Sequence, residues 1–493
     1  MPGAPPQTFV ILTTNFFPLI FVYRLYSQRT SKLNFMENNA TPSSAGLPRR
    51  DFIRKTATAA AAVAAVPLLK TPVYGQNQAP SANVAGANNK IAVGVIGVGF
   101  GIGQNHLIGI HEKRNENNAV VAAACDVFNK RRNFAKEKAE LKDADLYEDY
   151  RKLLERKDID AVLIATHDPL HAGMSIAAMQ SGKHVYCEKP MSRYLDEAFK
   201  VYDVAKSTKK VFQVGSQGCS AAGWHKCAEL AKSGALGELI WGQGFYCRNS
   251  VKGEWNYMIE AETTAQNVNW EAWLGPVKKR NPFSAEEFHR WRKYYQYCAG
   301  PLGDLVPHRL HPLMLASGNP EFPVRVCSIG TQNVKADKNT PDTPIREVPE
   351  HQQLIAEFPS GYMITITAST VNAKSPGFVI YTHKASLEIG TSGESIKLNP
   401  ERDFAEEIDP ETFTGLQAED IRVHEKNWFD CIRSGKPTNA NEDLALRVQT
   451  VISLAEMSDR LKVTCLFDEK THKVTDGTGK EIPLITYGSN PNS

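Results

Sequence analysis

The chain of 493 residues has no uninterrupted apolar run near the roughly 20 residues that a membrane helix needs. It has no basic block with interleaved aromatics, and its formal charge of +3 is close to balance, which leaves nucleic-acid binding without support. There is no internal repeat. The nine cysteines include no C-x-x-C pair and no Cys/His cluster at zinc spacing, so neither a disulfide framework nor a metal site is expected. Several lie in apolar runs, as Cys125 does at the end of residues 120–125, and read as small buried hydrophobes of a protein that folds in a reducing compartment. What remains is ordinary globular material, 42% hydrophobic and 23% charged, long enough for two or three domains.

The first 89 residues read differently from the rest. Arg49-Arg50-Asp51-Phe52-Ile53 precedes a short, Ala-rich apolar stretch over 56–66. A charged segment before a mild apolar one resembles a twin-arginine export signal; an Ala-rich helix with a basic cap is the plain alternative. A signal belongs at the extreme N-terminus, so Met36 is taken as the initiator and residues 1–35 as a misassigned extension. On this reading 36–75 is the signal, cleaved after Val73-Tyr74-Gly75, and 76–89 is a linker rich in Asn, Ala and Gln. The mature protein is then expected in the periplasm or otherwise exported, without a membrane span.

From residue 90 the pattern is α/β. The run 91–96 is apolar and short, as a buried parallel strand is, and Gly97-Val98-Gly99-Phe100-Gly101 follows at once, ahead of a helix over 106–114. Strand, glycine turn and helix in this order form the context of a dinucleotide fingerprint. Gly97 permits the tight turn, and Gly99 lets backbone approach a pyrophosphate seated on helix N–H groups. The match is irregular: Ile102 stands at the third fingerprint position, with glycines at 101 and 103. The strand over 120–125 ends in Asp126, placed to accept from a ribose 2′-OH, which favours NAD; Arg131 and Arg132 just beyond leave NADP open. Strands at 161–166, 184–187 and 211–214 alternate with helices at 150–156, 170–181 and 195–206. Such alternation implies a doubly wound parallel sheet with its ligand site at the strand ends, where Gly97, Asp126, Thr166, Glu188 and Gln217 fall. His171 either lines that site or merely opens its helix.

Thr166…His171 and Gly182-Lys183-His184-Val185-Tyr186-Cys187-Glu188-Lys189-Pro190 resemble the Gfo/Idh/MocA oxidoreductases. So do Trp273-Leu274-Gly275-Pro276, Trp291-Arg292 with Gly300 to His308, and Asn427 to Pro437, in order across residues 90–470. His311 departs from the pattern, where relatives often carry Asp. The resemblance implies a second domain with a large open, mainly antiparallel or mixed sheet, over 218–476 after a Rossmann domain over 90–217, with a tail at 477–493. It also implies homo-oligomers, a cis bond before Pro190, and Lys189 with the Asp304/His308 pair as the catalytic set.

The residue types fit that chemistry in their own right. Oxidation of a carbinol needs a base with a pKa near the working pH, and His308 is the natural one. Asp304, four residues earlier, shares a helix face with it and can also cap that helix ahead of Pro307. Lys189 at a strand end can polarise the substrate oxygen. Trp255, Trp270, Trp273, Trp291 and Tyr295 suit a sugar face, though aromatics are more often core; Arg292 and Arg248 are candidate substrate donors. Past residue 238 strands follow one another without alternation, at 239–247, 324–332, 353–358, 363–370, 378–382 and 385–389, and helices at 419–433 and 441–460 close the chain. The expected function is an NAD(P)-dependent oxidoreductase acting on a sugar, polyol or glycoside hydroxyl. Export of folded protein implies a cofactor carried along and tightly held. A redox-neutral NAD-dependent glycosidase or lyase is the alternative, and a non-catalytic sugar or NAD sensor the third reading.

Overall fold

The computed structural model describes residues 90–488. The expected extension, export signal, cleavage site and linker, and the last five residues of the tail, lie outside the described residues.

The first sheet is parallel and six-stranded, from β1 (Ile91–Ile96), β2 (Ala119–Cys125), β3 (Leu146–Tyr147), β4 (Ala161–Ile164), β5 (His184–Glu188) and β6 (Phe212–Gly215). Its order is β3-β2-β1-β4-β5-β6, the doubly wound Rossmann arrangement, whose crevice opens at the carboxyl ends of β1 and β4. β1 and β4 are buried almost throughout, as expected of parallel strands covered on both faces.

The second sheet has ten strands: β7 (Leu239–Cys247), β8 (Arg325–Thr331), β9 (His351–Glu357), β10 (Met363–Ser369), β11 (Phe378–Thr382), β12 (Ala385–Ile389), β13 (Ile396–Pro400), β14 (Glu411–Phe413), β15 (Cys465–Asp468) and β16 (Lys473–Thr475). Only β7 and β10 pair in parallel; every other pairing is antiparallel. This is the expected α/β architecture with a large, mainly antiparallel second sheet. Alternation along β9 and β10 puts Leu354, Ala356, Ile364 and Ile366 inside, against the helices Pro307–Ala316 and Glu442–Leu461. The opposite face is uncovered in this single chain.

The closing helices tie the two halves together. Trp428, Phe429 and Ile432 of the helix Ile421–Ser434 belong to the Rossmann core beside Val93 and Leu163. The helix Glu442–Leu461 packs on both β8 and the helix Leu195–Thr208. All nine cysteines are unpaired, and seven are buried. Among the described residues no helix is long and apolar enough to cross a membrane.

Candidate active site

The glycine turn resolves its own irregularity. Gly97 and Gly101 have φ of 88° and 97°, backbone that L side chains rarely adopt. A Cβ on Gly103 would lie 2.5 Å from the Gly97 carbonyl oxygen. Gly103 therefore supplies the close helix–strand packing of the third fingerprint glycine, one residue after the expected position. The helix begins at Ile102, earlier than the sequence reading placed it, and has no side-chain cap. Its leading N–H groups, with the positive end of the helix dipole, form an anion seat.

Asp126 braces this turn. Its carboxylate accepts from the Val98 N–H at 2.7 Å and the Phe128 N–H at 2.8 Å. Each oxygen keeps a second lone pair for a ligand hydroxyl. Arg131 is committed to Glu260 at 2.6 Å, and Arg132 to the Asp126 carbonyl at 2.7 Å and to Glu148.

A cleft of about 980 Å³ runs from the turn, past Gly97, Gly99, Phe100, Gly101, Ile102, Asp126 and Thr166, to Trp291, Arg292, Arg248, Asp304 and His308. Its outer wall is a strap over residues 249–269 that sequence reading passed over. The strap crosses to the Rossmann half, where Asn129 N–H donates to Asn267 and Asn269 N–H to Val127, while Glu260 pairs with Arg131. Tyr257 and Met258 of the strap face the cleft, and Met258 is 80% exposed.

At the far end Lys189, joined to Pro190 by a cis bond, donates to the Asp304 carboxylate at 2.8 Å and to its carbonyl at 2.9 Å. Arg292 Nε donates to the same carboxylate at 2.8 Å and Trp255 Nε1 at 2.9 Å. Burial works against the Asp304 charge, yet Arg292 and Lys189 hold its carboxyl well below the usual range. Burial likewise opposes the Lys189 ammonium, but Asp304 raises it. Behind them Asp168 is buried with Oδ2 unpartnered, and burial pushes its carboxyl up to about 7. His308 opens onto the cleft with its ring 5.6 Å from that of Tyr246. Burial, reinforced by Lys189, pushes its imidazole well below the ordinary value, so it is neutral.

Several expectations need correction. Asp304 neither caps the His308 helix nor bonds to its ring. It ends a separate short helix, Pro301–Asp304; Val306 holds the cap position, and the carboxylate is occupied by its three donors. Glu188 points away from the cleft, to His106 at 2.9 Å. His171 is buried between the Pro190 and Thr166 carbonyls at 2.7 and 3.1 Å, a brace for both loops. Gln217 lies in a short 3-10 turn, outside the cleft lining. Tyr295 stacks under Arg460, also outside it. The Trp255 bond to Asp304 had no local sequence signal, because it joins residues 49 apart.

The family description for an oxidoreductase with an NAD-binding Rossmann fold matches residues 91–216, and that for the same family's C-terminal alpha/beta domain matches 241–366. The chain belongs to the Gfo/Idh/MocA oxidoreductases. Inositol 2-dehydrogenase of Salmonella typhimurium is 27% identical over 186 residues, 37% of this chain and 54% of that protein. A glycosyl hydrolase family 109 protein of Shewanella amazonensis is 29% identical over 219 residues, 41% of this chain and 46% of that one. The chain thus spans about half the length of the curated relatives it matches. Among solved structures, levoglucosan dehydrogenase in complex with NADH and levoglucosan has a TM-score of 0.59 at 18% identity, over 76% of this chain and 98% of that one. An aldose-aldose oxidoreductase from Caulobacter crescentus, complexed with glycerol, has 0.55 at 18%, over 77% and 100%. At such identity these structures share the fold. The glycine turn and the cleft fit a nicotinamide dinucleotide.

Proposed function

We propose that this protein is an NAD-dependent dehydrogenase that oxidises a secondary hydroxyl of a sugar or polyol. The carrying observation is the convergence of Lys189, Asp304 and His308 at one end of a cleft whose other end is the glycine turn. NAD, when bound, supplies the hydride acceptor. Gly99, Gly101 and the Ile102 helix terminus would seat its pyrophosphate, Asp126 would hold its ribose hydroxyls, and Thr166 would line its path. The engagement of Arg131 and Arg132 with carboxylates favours NAD over NADP. Lys189, kept charged by Asp304, donates to the reacting oxygen, and the neutral His308 takes its proton as the C–H electron pair leaves.

Tight retention of the cofactor is proposed to rest on the strap over 249–269, which would have to swing aside for exchange. Retention suits export by the twin-arginine route, which carries folded proteins. A purified protein showing bound NAD(H) by absorbance after gel filtration supports this; complete loss on filtration refutes it. Lys189→Ala and His308→Ala should each lower turnover by about 10²- to 10⁴-fold with cofactor still bound. Full activity in both sinks the assignment. The relatives named as sugar dehydrogenases favour simple oxidation over glycoside cleavage; released aglycone without any net change in bound NAD would reverse that order.

A further inference from the structure

The substrate end of the cleft is rich in hydrogen-bond donors and poor in acceptors. It is formed by Tyr246, Arg248, Tyr257, Arg292, Asp304 and His308. Asp304, its central carboxylate, already accepts from Lys189, Arg292 and Trp255. Glu254, behind the cleft lining, faces Arg248 at 3.1 Å, and Asp304 lies 3.9 Å from the same guanidinium. Arg309 is tied to Glu419 at 2.9 Å, and Asp168 lies buried behind the cluster. Two guanidinium groups are left half-used. Arg292 gives only Nε to Asp304, and its plane is fixed over the Trp291 ring, 4.1 Å from the centroid. Arg248 lies over the Tyr246 ring at 5.4 Å. Neither Nη of Arg292 has a hydrogen-bond partner among the described residues.

A neutral polyol brings one hydrogen to donate for each oxygen that accepts. Here its hydroxyl hydrogens would find few free acceptors, since Asp304 Oδ1 already accepts from two donors and Oδ2 from one. A carboxylate brings acceptors only, and its planar geometry matches the guanidinium fork. An oxidised nicotinamide, when bound, would add another positive charge and deepen the demand for an anion.

We propose that the substrate is a sugar acid, whose carboxylate docks on Arg248 and Arg292 while its reacting hydroxyl meets Lys189 and His308. The proposal rests on the dehydrogenase reading above. Its test uses the full-length protein with NAD, comparing D-glucuronate, D-galacturonate and D-gluconate with D-glucose, D-galactose and myo-inositol, and with glucose 6-phosphate. A charge-assisted contact favours the acids by roughly 10- to 100-fold in kcat/KM. Arg248→Met should raise KM for the acid more than it lowers kcat and collapse the acid-to-neutral ratio. A wild-type preference for neutral sugars, or an unchanged ratio in both Arg248→Met and Arg292→Met, overturns the proposal; a preference for the phosphate replaces the carboxylate with a phosphate ester. Binding of the same compounds to His308→Ala by calorimetry separates the two claims. Acid binding without wild-type turnover rejects the dehydrogenase and keeps the sugar acid; weaker binding of acids than of neutral sugars rejects the sugar acid alone.

Discussion

In the proposed reaction His308 serves as the base, and its surroundings suit it to that role by refusing it a proton. Burial and the Lys189 charge outweigh the pull of Asp304, so its pKa lies well below 6.5. The imidazole is therefore already in its accepting form at neutral pH, and protonation removes it from the reaction. The acidic limb of kcat/KM against pH should lie below about pH 6.5, with a plateau above it; a limb centred above 7 would contradict the environment described. Asp304 bonds to Lys189 and Arg292 rather than to His308. Asp304→Asn leaves two buried cations without their counter-charge, at a cost of roughly 3–5 kcal/mol measured by urea unfolding. At this scale sequence reading located the motif residues but not the direction of their side chains. Lys189 reaches the site, whereas its neighbour Glu188 faces the opposite side, because successive side chains of an extended segment alternate. Asp304 and His308 are four apart, yet a break at Leu305-Val306 separates their helices.

At the level of elements, His106 joins three of them. It lies on the Ile102–Glu112 helix behind the glycine turn, between Glu188 at the end of β5 at 2.9 Å and Glu425 of the helix Ile421–Ser434 at 2.6 Å. Arg422 completes the chain by donating to Glu425. Burial alone would lower the His106 pKa, but its hydrogen bonds to both carboxylates raise it to about 9. A pKa raised on folding means stability that is fully present below the unfolded value near 6.5 and is lost as pH climbs through 9. The shift corresponds to roughly 3 kcal/mol. Unfolding free energies of the wild type should decline over this interval, and His106→Gln should be less stable at pH 6 and lose most of the slope; an unchanged slope in the variant would place the titration elsewhere. The glycine turn was legible as an element despite its spacing, because strand, turn and helix were all present. The strap over 249–269 was not, since it has no periodicity and is held by contacts distant in sequence, from Arg131 on one side to Asp304 on the other.

For the whole molecule, the ten-stranded sheet presents one covered face and one open face. Ile329, Ile355 and Met363 are 64%, 50% and 38% exposed there, and they lie on adjacent strands β8, β9 and β10. Trp241 stacks on Tyr381 at 3.8 Å on the same face, across β7 and β11. The alternation of these strands was readable, but the order of pairing was not: β7 leaves its neighbour in sequence and inserts between β10 and β11, a choice made by long-range packing. An apolar patch spread over five-strand width on a charged, balanced surface is of the kind that an interaction buries. We propose a homo-oligomer built on this face, in line with the family resemblance. Light scattering should give a mass at least twice that of one chain. Ile355→Lys combined with Ile329→Lys should reduce it to one, because two charges on a patch that must be dehydrated cost more than a typical interface contact returns. Circular dichroism would stay unchanged, since neither side chain enters the core. A wild type that is monomeric at micromolar concentration, or a double variant of unchanged mass, would exclude the open face as the interface.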